Sequence, residues 1–145
     1  MGRLLKNAFE EYFSNIHTTL DICLTNSPIS VSLSPIQIYD DDDEVFFDLT
    51  PDELNEVCYK HDKITLVVEY MLPTKEKKAE KAETQATYRN KNGFTVKEML
   101  DIVKDFEKNT RPLYEWFGEI DRSHVFFEGF KKKNNETTYT IFWGS

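Results

Sequence analysis

The strongest hydrophobic pattern in the chain lies over residues 95–108. Met99, Leu100, Val103, Phe106 and Glu107 fall on one side of a helical period, and Lys97, Asp101, Lys104, Asp105 and Lys108 on the other. That division predicts an amphipathic helix. Its start is marked twice, since Thr95 and Glu98 have capping-box spacing and Phe94 and Met99 the spacing of a hydrophobic staple. Arg111-Pro112 interrupts it, because the residue before a proline avoids helical backbone. A short helix over 113–117, closed by Gly118, is expected next.

The same patterning divides the rest of the chain. Leu4, Leu5, Ala8, Phe9, Tyr12, Phe13 and Ile16 form a helical stripe, which predicts a helix over 3–16. Ile29, Val31 and Leu33 alternate with serines, and the phase slips by one at Pro35 before Ile36 and Ile38. A proline with a phase slip predicts an edge strand with a bulge. Residues 45–49 read as a short buried strand. Thr50, Pro51 and Glu53 open a helix of about ten residues with Leu54, Val57, Cys58 and His61 on its stripe. Alternation over 64–72 predicts a long strand ended by Pro73, and 84–89 a strand returning antiparallel to it. Between them, residues 74–83 are charged and stripe-free, and a flexible loop is expected. Residues 125–130 and 137–143 predict an aromatic hairpin around the polar loop 131–136.

These elements define a single α+β domain over 1–145, with an antiparallel sheet and helices packed on one face. Over residues 45–131 the order is strand, helix, strand, strand, helix, strand, the order of a ferredoxin-like βαββαβ core. An N-terminal helix and edge strand would precede that core and one extra strand follow it. The competing arrangement is an antiparallel sheet curled round a helix, with another strand order.

Composition adds the setting. With 39% hydrophobic and 30% charged residues the chain is of globular type, and 14% aromatics allow a ring-rich core. No apolar run is long enough to span a bilayer, so no membrane partner is expected. The opening residues lack the features of a secretory signal, and Cys23 and Cys58 have no CxxC spacing. An intracellular protein with reduced thiols is expected. The 14 Lys against 4 Arg, with nine Asn and four Ala, suggest an AT-rich coding genome.

Net charge is −8, distributed unevenly: residues 1–72 carry 4 basic and 14 acidic side chains, residues 73–145 carry 14 and 12. That balance argues against a general nucleic-acid binder and for a basic protein partner of the N-terminal half.

Candidate chemistry is sparse. There is no P-loop, dinucleotide-binding glycine pattern, HExxH, GxSxG or CxxC pair, and no cofactor is expected. Asp40-Asp41-Asp42-Asp43-Glu44 lacks the sixth-position glycine of a calcium loop, so it reads as solvated and no metal site is expected. One acid/base constellation stands out, in which His124 and Glu128, with Asp121 nearby, would alternate with rings on one strand face. A small-molecule-binding domain or enzyme using that pair is one alternative. A single-strand nucleic-acid binder with Lys131, Lys132 and Lys133 on phosphate is another. The leading expectation is a non-enzymatic protein-interaction module: an adaptor, inhibitor or accessory factor. Its partner-binding residues would be Phe126, Glu128, Phe130, Phe142 and Trp143 of the hairpin, and an edge strand could also pair two copies.

Overall fold

The helix read most clearly from the sequence forms over Val96–Thr110, and its capping box is complete. Thr95 Oγ1 accepts from Glu98 N at 3.1 Å, and the Glu98 carboxylate accepts from Thr95 N at 2.9 Å. The computed structural model describes residues 9–23, 29–73, 79–113, 115–116, 119–120 and 123–145. In chain order these give α1 (Phe9–Ser14), β1 (Ile16–Cys23), β2 (Ser30–Asp40), β3 (Val45–Asp48) and α2 (Pro51–Leu54). There follow β4 (Val57–Tyr59), β5 (Lys63–Pro73), β6 (Ala79–Arg89), β7 (Phe94–Thr95) and α3, the capped helix. A 3-10 turn (Arg111–Leu113), β8 (Glu115–Trp116), β9 (Glu119–Ile120), β10 (Phe126–Lys132) and β11 (Thr138–Gly144) complete the set.

The α+β class holds, with a seven-stranded sheet in the order β3-β2-β1-β10-β11-β5-β6. The sheet is mixed rather than antiparallel throughout, because β11 runs parallel to β5 through Thr138↔Thr65 and Tyr139↔Leu66. Nor does the order reproduce a ferredoxin-like core. The strand 45–48 stands at one edge and pairs with β2, while β10 sits between β1 and β11.

The sheet curls about α3. Five strand spacings separate β2 from β6, which on a flat sheet would be about 24 Å. Yet Tyr88 of β6 donates to Asp105 of α3 at 2.8 Å, and Asp101, Lys104, Asp105 and Lys108 share a cleft with Ser30 and Val31 at the start of β2. Two strands near opposite edges therefore reach the same turns of one helix.

Several local expectations change. The helix over 3–16 is described only from Phe9, and it ends at Ser14 because Ile16 already begins β1. That strand has no counterpart among the elements expected from the sequence, although Ile16, Thr18 and Leu20 are buried and His17 and Asp21 exposed in strict alternation. β2 is an edge strand only in its first part, since β3 pairs with it over Gln37–Asp40. Its bulge is real: pairing steps from His17↔Gln37 to Thr19↔Ser34, and Pro35 sits in the slack where no ladder donor is needed. β3 is exposed rather than buried, with Phe46 at 52%. The Thr50 capping box forms, but α2 stops after one turn. Val57, Cys58 and Tyr59 go into β4, paired with β7, as strand-favouring side chains with a partner strand at hand.

Residues 79–83, expected in a loop, extend β6 into a full antiparallel ladder with β5 that ends at Pro73↔Ala79. The remainder of that loop, 74–78, lies outside the described residues. Of the helix expected over 113–117, Glu115 and Trp116 instead pair with β9, and 114, 117 and 118 lie outside the described residues. The strands predicted over 64–72 and 84–89 form within β5 and β6, antiparallel as expected, and the C-terminal hairpin forms from β10 and β11.

The core explains where most rings go. Phe9 of α1 lies 5.0–5.3 Å, centroid to centroid, from Phe13, Tyr59, Phe130 and Tyr139. Phe13 in turn meets Phe130 edge-on at 5.1 Å, and Phe127 meets Trp143 at 5.6 Å. Such offset and edge-to-face pairs add to the burial of apolar area. Helix α1 can approach this closely because Gly129 has φ +105° and no side chain; a Cβ there would lie 3.2 Å from Ser14 N.

Candidate docking face

Alternation along β10 and β11 decides which hairpin rings face outward. On β10, Phe127 is buried and Phe126 is 50% exposed; on β11, Tyr139 and Ile141 are buried and Phe142 is 44% exposed. Phe126 pairs with Gly144 and Phe127 with Trp143, and then the register shifts so that Gly129 faces Phe142 and Phe130 faces Ile141. This bulge inverts the phase. Phe130, placed by simple alternation on the same face as Phe126 and Glu128, is carried into the core at 5% exposure.

The five expected hairpin residues therefore separate. Phe126, Glu128 and Phe142 are exposed, Phe130 belongs to the core, and Trp143 is half-buried between them. Trp143 packs on Phe127 and under the Arg111 guanidinium, 5.3 Å from its centroid. Glu128 lies over Gly144, whose missing Cβ would stand 2.6 Å from the Glu128 carboxylate. Lys131 Nζ sits 5.6 Å from the Phe142 ring centroid.

Beyond the hairpin the outward face continues in rings that the sequence pattern alone did not single out for function. Phe126 shares a cleft of about 230 Å³ with His17, Thr19, Pro35 and Gln37. His17 of β1 meets Phe46 of β3 edge-on at 5.0 Å, and Tyr39 of β2 lies 5.0 Å from Phe46 and 5.8 Å from His17. A band of rings thus crosses five strands, from Phe46 through Tyr39, His17 and Phe126 to Phe142. The alternation of His17, Thr19 and Asp21 is the signal that locates its middle.

Of the acid/base constellation, Glu128 lies on β10 and Asp121 outside the described residues. His124 precedes β10, and its carbonyl accepts from Arg111 Nη1 at 2.8 Å. Neither His124 nor Glu128 lines any of the three clefts described. Arg111 is held by Glu107, whose Oε1 accepts from its Nε at 2.9 Å and from its Nη2, with both side chains buried. Cys58 is buried too, and desolvation pushes its thiol up to about 12, far from a reactive thiolate. Among the described residues no three His, Cys, Asp or Glu side chains are placed to hold a metal ion. No helix among them is long and apolar enough to cross a membrane.

Compared with protein-family models, curated proteins and solved structures, the chain finds no match.

Proposed function

We propose that this chain is a non-enzymatic protein-interaction module, an adaptor, inhibitor or accessory factor, that docks its partner on the outward face of the sheet. The observation that supports this is the band of rings from Phe46 to Phe142, with Phe46, Phe126 and Phe142 each about half exposed. Exposed rings standing singly are ordinary, but rings shared by neighbouring strands supply rigid anchors of the kind that dominate interfaces. Thiols rather than a disulfide at Cys23 and Cys58 fit an intracellular setting.

The test is a F126A/F142A double variant. Both side chains lie about half in solvent, so it should unfold at the wild-type temperature. A partner isolated on the wild-type chain and then purified should bind the variant about 100-fold more weakly, two anchors contributing about 1–2 kcal/mol each. Unchanged affinity would refute the docking face. Tight binding to a single-stranded oligonucleotide that collapses with added salt would replace it with nucleic-acid recognition, for which Lys131 beside Phe142 would be the starting point.

A further inference from the structure

β6 forms the open margin of the sheet beyond β5. Its ladder with β5 runs without a break from Lys63↔Arg89 to Pro73↔Ala79, with neither a bulge nor a proline in β6 to blunt the edge. The direction of its backbone groups follows from one bond at the end of that ladder. Asn90 N–H donates to Asp62 O at 2.8 Å, so the even-numbered residues of β6 turn N–H and C=O toward β5. Lys81, Glu83, Gln85, Thr87 and Arg89 turn theirs outward, where they meet no backbone partner among the described residues. All five side chains are exposed.

We infer that β6 is the contact between two copies of this chain, joined antiparallel, edge to edge, about a two-fold axis at Ala86. The ring band ends at β11, two strands away, so this is a second contact that does not depend on the docking face above.

Charge selects both the occupant and the register. Within the chain Glu83 stands directly across from Glu69, and Arg89 directly across from Lys63, each a like-charged pair. Lys81 at 3.2 Å and Lys133 at 4.0 Å compensate Glu69. Glu83 and Arg89 have no ion pair among the described residues. These two lie three residues to either side of Ala86, on the same exposed face.

Pairing about Ala86 sets Glu83 of each copy against Arg89 of the other, and Gln85 against Thr87. The backbone agrees, because a hydrogen-bonded pair needs two outward-turned residues and every one of these is odd-numbered. On the axis the two small Ala86 side chains meet as a non-hydrogen-bonded pair, where strands approach most closely. Centring the contact on Gln85 instead would set Lys81 against Arg89. An edge that complements itself in this way fits a second copy, as a two-fold interface requires.

The experiment is analytical ultracentrifugation of the full chain over a range of concentrations. The wild type should show monomer and dimer in proportions that follow concentration. At high concentration the amides of Glu83, Gln85, Thr87 and Arg89 should exchange more slowly, while those of Thr84, Ala86 and Tyr88, already turned to β5, stay unchanged. Glu83→Arg sets arginine against arginine and Arg89→Glu glutamate against glutamate, so each alone should weaken the dimer at least tenfold. Each also removes a like-charged pair within the chain, so in dilute solution the variants should unfold at or above the wild-type temperature. Mixed in equal amounts, the two variants should associate with each other, since every pair across the axis is then opposite in charge. E83R/R89E should restore the dimer.

A wild-type chain that stays monomeric throughout would overturn the inference. So would single variants that stay apart when mixed. A dimer that survives Gln85→Pro, which removes an outward N–H and leaves the β5 ladder whole, would place the contact elsewhere. An extended peptide of another protein pairing along β6, in a chain that does not bind itself, would give the edge a different occupant and overturn the inference as well.

Discussion

Arg111 and Glu107 put two charges where water scarcely reaches, at 1% and 2% exposure. A buried pair of this kind adds little net stability, but either member alone leaves an uncompensated charge. Glu107→Leu and Arg111→Met should therefore each cost about 3 kcal/mol in urea unfolding. The double variant should recover most of that, because no lone charge remains. Tyrosines supply the second expectation at this scale. Burial first, and neighbouring acidic groups after it, raise the phenols of Tyr59, Tyr88 and Tyr139 above their ordinary value of 10.0. The folded state then holds protons that the unfolded chain releases, so the stability linked to them is full below pH 10 and lost as pH climbs through the folded values. A urea midpoint that falls steadily above pH 10, together with phenolate absorbance appearing late in the native protein, would show this. A flat midpoint would contradict it.

Among the elements, the β10 bulge couples most things together. At Gly129 a side chain would strain a φ of +105° and press on the Ser14 backbone at 3.2 Å. Gly129→Ala should thus destabilise by about 2 kcal/mol, and loss of α1 packing should appear in the near-ultraviolet dichroism of Phe9, Phe13 and Phe130. The same bulge marks the boundary of what is legible in the sequence. Local periodicity carries α3, the β5–β6 ladder and the hairpin, because each is stabilised by neighbours in sequence. It also puts Phe126 and Phe142 outward correctly. It turns Phe130 the wrong way because a bulge leaves no mark in a hydrophobic pattern beyond one glycine, and glycine has many uses. β1 is hidden because Tyr12, Phe13 and Ile16 satisfy a helical stripe while Ile16, Thr18 and Leu20 satisfy a strand. The two periods share Ile16, and the helical one runs past the true end of α1. β3 looks buried because three consecutive apolar residues usually are; here they stand at an edge.

For the molecule as a whole, strand order is the least legible property, since it depends on pairings between residues about a hundred positions apart, as in Thr19↔Phe126. The order has a measurable signature. β1, β10 and β11 occupy the centre of the sheet, and β3 and β6 its margins. Hydrogen exchange should therefore be slowest in β10 and β11, proceeding there only by global unfolding, and fastest in β3, whose four residues are all exposed. Equal protection of β3 and β10 would contradict this arrangement. Charge follows the same geography, with β3, β2 and β1 free of Lys and Arg and Lys131, Lys132 and Lys133 at and just past the end of the central strand β10.

The position of the hairpin has a consequence for how the molecule is made. On a ribosome β1, β2 and β3 emerge first and β5 and β6 next, yet these two groups do not pair with each other; β10 and β11 stand between them. Until that hairpin has left the exit tunnel, the two groups have no hydrogen-bonded strand to join them, and Phe9 and Phe13 lack Phe130.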